Sequence, residues 1–204
     1  EELEEYIDLL NERRSQYANR YIHEEEMYPW DEEYIKSQIS PSLNTTVDMS
    51  NYYNIIRDFF VNFGIDIDEY NITYDIFPRR NKSEWGYNFP IETRKDSRIL
   101  ANVKNQYNEY KVLLHETGHG VHSYLQDPNE IILNNGISGI VTEGIANLFG
   151  SFLYDALFYK NFFDEAVEEE FKEMAQYEKL NYLRFVGNIF FDHALYRNDI
   201  DSIE

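Results

Sequence analysis

Between Leu113 and Leu125 the sequence reads LLHETGHGVHSYL, and three of the chain's five histidines fall inside it. His115, His119 and His122 recur at intervals of four and three residues, the spacing of one α-helical face. Val112, Leu113 and Leu114 lead in, and Val121 and Leu125 lead out, so the stretch reads as a helix with an apolar side. Such a helix needs a body to bury against. A chain of 204 residues, 43% hydrophobic and 17% aromatic, can supply one, and 18 Tyr with 14 Phe make its core bulky.

Helical periodicity dominates the rest. Residues 1–28 keep Leu3, Ile7, Leu10, Arg14, Tyr17 and Tyr21 on a three-and-four spacing, and Pro29 is expected to stop that helix. DEEYIKSQIS reads as a short helix or turn. In DMSNYYNIIRDFFVNFGI, Asp48 or Ser50 is the candidate N-cap, Tyr52, Ile55, Ile56, Phe59 and Phe60 form the apolar face, and Gly64 ends the helix. NITYDIFPRR, SEWGYNFPIE and SRILANV differ: they alternate, and they are rich in β-formers, so they read as short strands. The histidine helix should stop at Asp127-Pro128. NEIILNNGISG then reads as a loop, IVTEGIANLFGSFLYDALFYK as a strongly apolar buried helix, and the segment from Phe163 to Asn198 as one or two more. The expected architecture is one mainly α (α+β) domain over residues 1–204, with a small β-sheet inserted around residues 70–104.

Charge excludes several partners. Net charge is −20, from 38 acidic and 18 basic residues, whereas a nucleic-acid backbone or an anionic membrane face calls for a basic surface. No nucleic acid and no membrane partner is therefore expected. The acid reads as a solvated surface. Zero cysteines remove disulfides, thiolate metal ligands and a cysteine nucleophile. No stretch approaches the roughly 20 apolar residues of a membrane helix. The chain starts at Glu1 rather than Met and reads as a fragment or a processed form. With no cysteine and no visible leader, the cytoplasm is the favoured compartment.

HETGH fits H-E-x-x-H. On a helix, His115 and His119 lie one turn apart on one face and can point at one ion, while Glu116 sits beside that face without ligating. Imidazole with carboxylate suits Zn2+ at about 2.0–2.1 Å. A zinc site with an open position needs one more protein ligand. His122 is seven residues beyond His115, about 10.5 Å along the axis, which is too far to share the point where His115 and His119 converge. It fits a pocket wall or ordinary packing better. The longer pattern with a third His also fails, since Leu125 stands where that His belongs.

Glu143 is the better third ligand. It lies in the first turns of an apolar helix, where a carboxylate would suffer desolvation unless paired or metal-bound. The competing reading is a surface Glu near a helix start, favoured by the helix dipole. Asn147, one turn on, faces the same way and is positioned to orient His115 or His119 through the free ring nitrogen.

LLHETGHGVHSYL looks like the active-site helix of the oligoendopeptidase F and thimet oligopeptidase family of zinc peptidases. MYPWDEEYIKSQ, VDMSNYYNIIRDFFVNFGID and YDIFPRRNKSEWGYNFPI resemble successive blocks of that family's catalytic core. DSRILANV and GIVTEGIANLFGSFL are also similar to the related angiotensin-converting enzymes. The resemblance implies a zincin-like core in which His115, His119 and Glu143 bind zinc and Glu116 is the general base. It implies that the strand in EWGYNFP, with Gly86 and Tyr87, is an edge strand hydrogen-bonded to a peptide substrate, with His122 near the same pocket. Two departures stand out. Trp85 precedes Gly86 where the family often has His. The Tyr and His that stabilise the oxyanion in the family are expected beyond Glu204, with Tyr196 and His193 the nearest substitutes here.

The activity this implies is hydrolysis of short unfolded oligopeptides, by an oligo-endopeptidase first and by a carboxypeptidase or dipeptidyl carboxypeptidase second. A zinc-stabilised peptide-binding module without catalysis is the alternative of a different class. A metal-free helical scaffold is a third.

Overall fold

A computed structural model describes residues 2–130, 132, 138–162 and 167–197. The helices are α1 (Glu2–Ile22), α2 (Glu32–Ile39), α3 (Tyr52–Val61), α4 (Tyr110–Leu125), α5 (Gly139–Ser151), α6 (Ala156–Lys160) and α7 (Glu168–Tyr196). The strands are β1 (Ile72–Asp75), β2 (Tyr87–Glu92) and β3 (Asp96–Leu100), so the chain is mainly helical with a small sheet in the interval where the sequence placed one. Most of the loop read at residues 129–139, and the first residues of the segment from Phe163, lie outside the described residues.

The chain divides into two compact units, one of residues up to Pro41 with those from Glu169 onward, the other Ser42–Glu168. In the first, Tyr17 of α1 meets Tyr177 of α7 edge-on with centroids 4.9 Å apart. Glu173 accepts hydrogen bonds from Arg20 at 2.6 Å and from Tyr21 at 2.7 Å. Helix α1 ends at Ile22 rather than running on to Pro29, because His23 takes a left-handed φ of 59° and breaks the helical path.

The second unit holds the sheet and α3 to α6. Its core is aromatic: Phe60 lies 4.8 Å from Phe149, and Tyr107 lies 4.8 Å from Tyr159 while its hydroxyl donates to the Leu153 carbonyl at 2.7 Å. Asp48 accepts from the Ser50 N–H at 2.8 Å and caps the turn that leads into α3. Strand order is β1-β3-β2, with β1 parallel and β2 antiparallel to β3.

A polar seam fixes the sheet on α4. Tyr74 and Thr117 hydroxyls meet at 3.1 Å. The Asn88 amide donates to Ser97 Oγ at 2.8 Å and to the Glu116 carbonyl at 3.3 Å. Helices α4 and α5 approach through glycine: a Cβ on Gly118 would stand 2.9 Å from the Phe149 ring and 3.2 Å from the Ala146 Cα.

One sequence expectation needs correcting here. The apolar stretch from Ile140 to Lys160 is neither one helix nor strongly buried. A 3-10 turn at Phe152–Tyr154 interrupts it, and Asp155, in extended conformation, accepts from the Leu157 N–H at 2.7 Å and starts α6 afresh. Only one face of α5 packs on α4. Ile140 is 85% exposed and Leu148 57%.

Candidate metal centre

Helix α4 presents His115 and His119 on one face, and α5 brings Glu143 over them. Among the described residues these three form a group whose ligand atoms all lie within 4.8 Å of one another. His115 Nε2 is 3.5 Å from Glu143 Oε2, and His119 Nε2 is 3.4 Å from Glu143 Oε1. The imidazoles stand nearly perpendicular, at 84° with centroids 4.9 Å apart. Both nitrogen–oxygen distances exceed the usual N–H···O range of about 2.7–3.2 Å. They match instead the edge of a tetrahedron with zinc–ligand bonds of about 2.0–2.1 Å, which is roughly 3.4 Å. By donor type and spacing, the three fit a zinc ion.

The electrostatics agree with that donor set. Burial, and next the neighbouring His119, hold His115 below its ordinary pKa, while the Asn147 side chain hydrogen-bonds it. Burial likewise lowers His119. Both rings are thus kept in the neutral form that ligates metal. Asn147 lies where the sequence placed it, one turn beyond Glu143 and on His115.

Glu143 is 58% exposed on its side chain, so the desolvation argument made for it from sequence does not hold. The apolar neighbours that suggested burial, Ile140 and Leu148, are themselves exposed. Its position over the two imidazoles distinguishes it.

Glu116 is buried beside the cluster and not part of it. Burial, with the Glu143 charge second, pushes its carboxyl up to about 7. A bound cation would draw that value down. Gly86 lies directly against it: a Cβ there would come within 2.5 Å of Val112 Cγ1 and 2.8 Å of Glu116 Oε1. Any larger residue there would have to push aside the Val112 side chain and the Glu116 carboxylate.

A cleft of about 680 Å³ opens over these groups, lined in part by Trp85, Gly86, Tyr87, Asn88 and Pro90 on the sheet side. Among the described residues β2 has β3 as its one neighbour, so its other edge is open. Ser97 and Ala101 donate their N–H groups to Asn71 and Asp75 on the β1 side, at 3.1 and 3.0 Å. The alternate residues Arg98 and Leu100 therefore face β2, opposite Phe89 and Tyr87. Asn88 and Pro90 are left with their backbone groups turned to the open edge. Pro90 has no N–H, so this edge offers the Asn88 N–H and carbonyl and then only the Pro90 carbonyl.

The structure brings together His115, His119, Glu143, Glu116, Gly86, Tyr87 and Asn147. His122 is half-buried on α4 and is neither in the three-residue cluster nor among the residues lining the cleft. His193 and Tyr196 are exposed at the end of α7, in the other compact unit. Sequence reasoning missed Lys111, Thr142 and Asn88, which also line the cleft. Lys111 carried a usable signal, since it precedes His115 by four residues on the same helical face. Asn88 carried none, because its place depends on strand register.

No protein-family model, curated protein or solved structure compared with the chain matches it.

Proposed function

We propose that the chain is a zinc-dependent peptidase core, in which His115, His119 and Glu143 hold the metal and Glu116 is the general base. The observation that carries this reading is the spacing of the Glu143 oxygens from the two imidazole nitrogens, 3.4 and 3.5 Å, on an H-E-x-x-H helix. Zinc held there would supply a Lewis acid that polarises a carbonyl and acidifies water. Glu116, buried and adjacent, accepts the proton from the attacking water and returns it to the leaving amine. Gly86 keeps the strand close enough to fix the height of that carboxylate. The open edge of β2 pairs with the backbone of an extended peptide at Asn88, and Pro90 ends the ladder. Asn147 holds the orientation of His115. The substrate class that fits an edge strand beside the cleft is a short unfolded peptide.

The test is peptide cleavage followed by mass spectrometry, with the zinc-loaded chain and a Glu116→Gln variant. The expected result is cleavage by the wild type and a loss of at least about 100-fold in the variant at equal zinc content. Zinc binding with no cleavage by the wild type would favour a peptide-binding module instead.

A further inference from the structure

Lys111 is the one lysine or arginine among the described residues that line the cleft. The cleft's other charged side chains are acidic, Glu116 and Glu143, beside aromatic and apolar wall at Trp85, Tyr87, Pro90 and Val112. Lys111 is half-buried on α4, one turn before His115. Its Nζ donates to the Tyr154 hydroxyl at 3.1 Å and lies 5.4 Å from the centre of that ring. Gly150 gives the stem its room, since a Cβ there would stand 3.3 Å from the Lys111 carbonyl and 3.8 Å from its Cγ. The ammonium is thus held against Tyr154, on a residue that lines the cleft, and is not left to swing in solvent.

Distance says what it can meet. One helical turn separates Lys111 from His115, about 5.4 Å along the axis. An extended peptide advances about 3.3 Å per residue. A group one or two residues from a carbonyl at the metal centre therefore comes level with Lys111. A carboxylate in that place gains a charge-assisted hydrogen bond, and a neutral group gains far less.

We propose that Lys111 is a specificity residue that reads a carboxylate on the bound peptide, within about two residues of the bond presented to the metal centre. The inference rests on the peptidase reading above. The carboxylate comes either from the peptide C-terminus, which would make the enzyme an exopeptidase, or from an Asp or Glu side chain, which would make it an acid-selective endopeptidase.

The test is fluorescence anisotropy with labelled hexapeptides on the zinc-loaded Glu116→Gln chain, with and without Lys111→Met. Three kinds of probe are used: a neutral peptide ending in an amide, the same peptide with a free C-terminal carboxylate, and the amide with a single Asp stepped along it. Methionine keeps the apolar stem and the helix propensity while removing the charge. One anionic probe is expected to bind about tenfold or more tighter than the neutral one. Lys111→Met should erase that preference at equal zinc content. Which anionic probe responds assigns the source of the carboxylate. Equal binding of all probes, or an anionic preference that survives Lys111→Met, would overturn the inference alone. No binding of any probe to a zinc-loaded chain would take down the peptide-site reading and this inference with it.

Discussion

Helices α4 and α5 reverse what their sequences suggest. Helix α4 carries Lys111, three histidines, Glu116 and Thr117, yet ten of its residues are buried, including Glu116, Thr117 and Ser123. Helix α5 reads GIVTEGIANLFGS and has three buried residues, Ala146, Phe149 and Gly150. The difference comes from neighbours. Helix α4 has α5 on one side and the sheet on another, tied to the sheet by the Tyr74–Thr117 and Asn88–Glu116 hydrogen bonds. Helix α5 packs along one face, and its remaining apolar side chains meet no described partner that buries them. A buried hydroxyl is tolerated where it finds a partner, as Thr117 does in Tyr74, and apolar side chains stay outside when no element covers them. The proposed metal site lies at the seam, where the buried helix supplies the imidazoles and the half-exposed one supplies the carboxylate.

The largest expected effect follows from this contrast. Leu114→Ala on α4 should cost about 2–5 kcal/mol of unfolding free energy, as a buried leucine does, whereas Leu148→Ala on α5 should cost under about 1 kcal/mol. Denaturant titration of both variants checks the pair, and equal costs would break the comparison. Glycines sharpen it further. Gly118→Ala should destabilise by about 1–2 kcal/mol, because its Cβ would lie 2.9 Å from the Phe149 ring. Gly144→Ala, with nothing within 4 Å of its Cβ, should stabilise by about 0.5–1 kcal/mol through helix propensity. Thermal unfolding of the two reads the opposite signs.

The smallest effect concerns a buried charge of the other kind. Lys82 has a side chain only 1% exposed, and it donates to Asp75 Oδ1 at 2.9 Å. That hydrogen bond, and next the Lys82 and Arg79 charges, hold the Asp75 carboxyl below the usual carboxylate range. A depressed folded pKa contributes stability above the unfolded value of about 3.9 and loses it as pH falls through the folded value. The melting temperature of the wild type should therefore fall more steeply on acidification below about pH 5 than that of Lys82→Met. Parallel slopes would show that the pair contributes nothing.

Much of this was legible in the sequence. The three strands, the α3 face with its Gly64 stop, and the histidine helix all follow from period and punctuation. Those signals are local, and no later packing overrode them. The convergence of His115, His119 and Glu143 was also anticipated, although burial was the wrong reason to choose Glu143. What the sequence hid depends on neighbours. An apolar run cannot say whether anything covers it, so α5 was read as buried. The cap at Asp155 was hidden inside that run. The end of α1 at His23 turned on a left-handed residue with no glycine to announce it. The direction of the Asn88 backbone needed the pairing of β3 with both of its neighbours.

In the proposed site α4 and α5 together hold one metal ion through His115, His119 and Glu143. The most direct test is an equilibrium zinc titration of the chain beside Glu143→Ala, with circular dichroism to confirm that both are folded. One zinc per wild-type chain is expected, with a loss in the variant larger than the roughly 10–100-fold that removal of an outer partner costs. Equal zinc affinity in the two proteins would contradict it, and would leave Glu143 an exposed acid that happens to lie over two histidines.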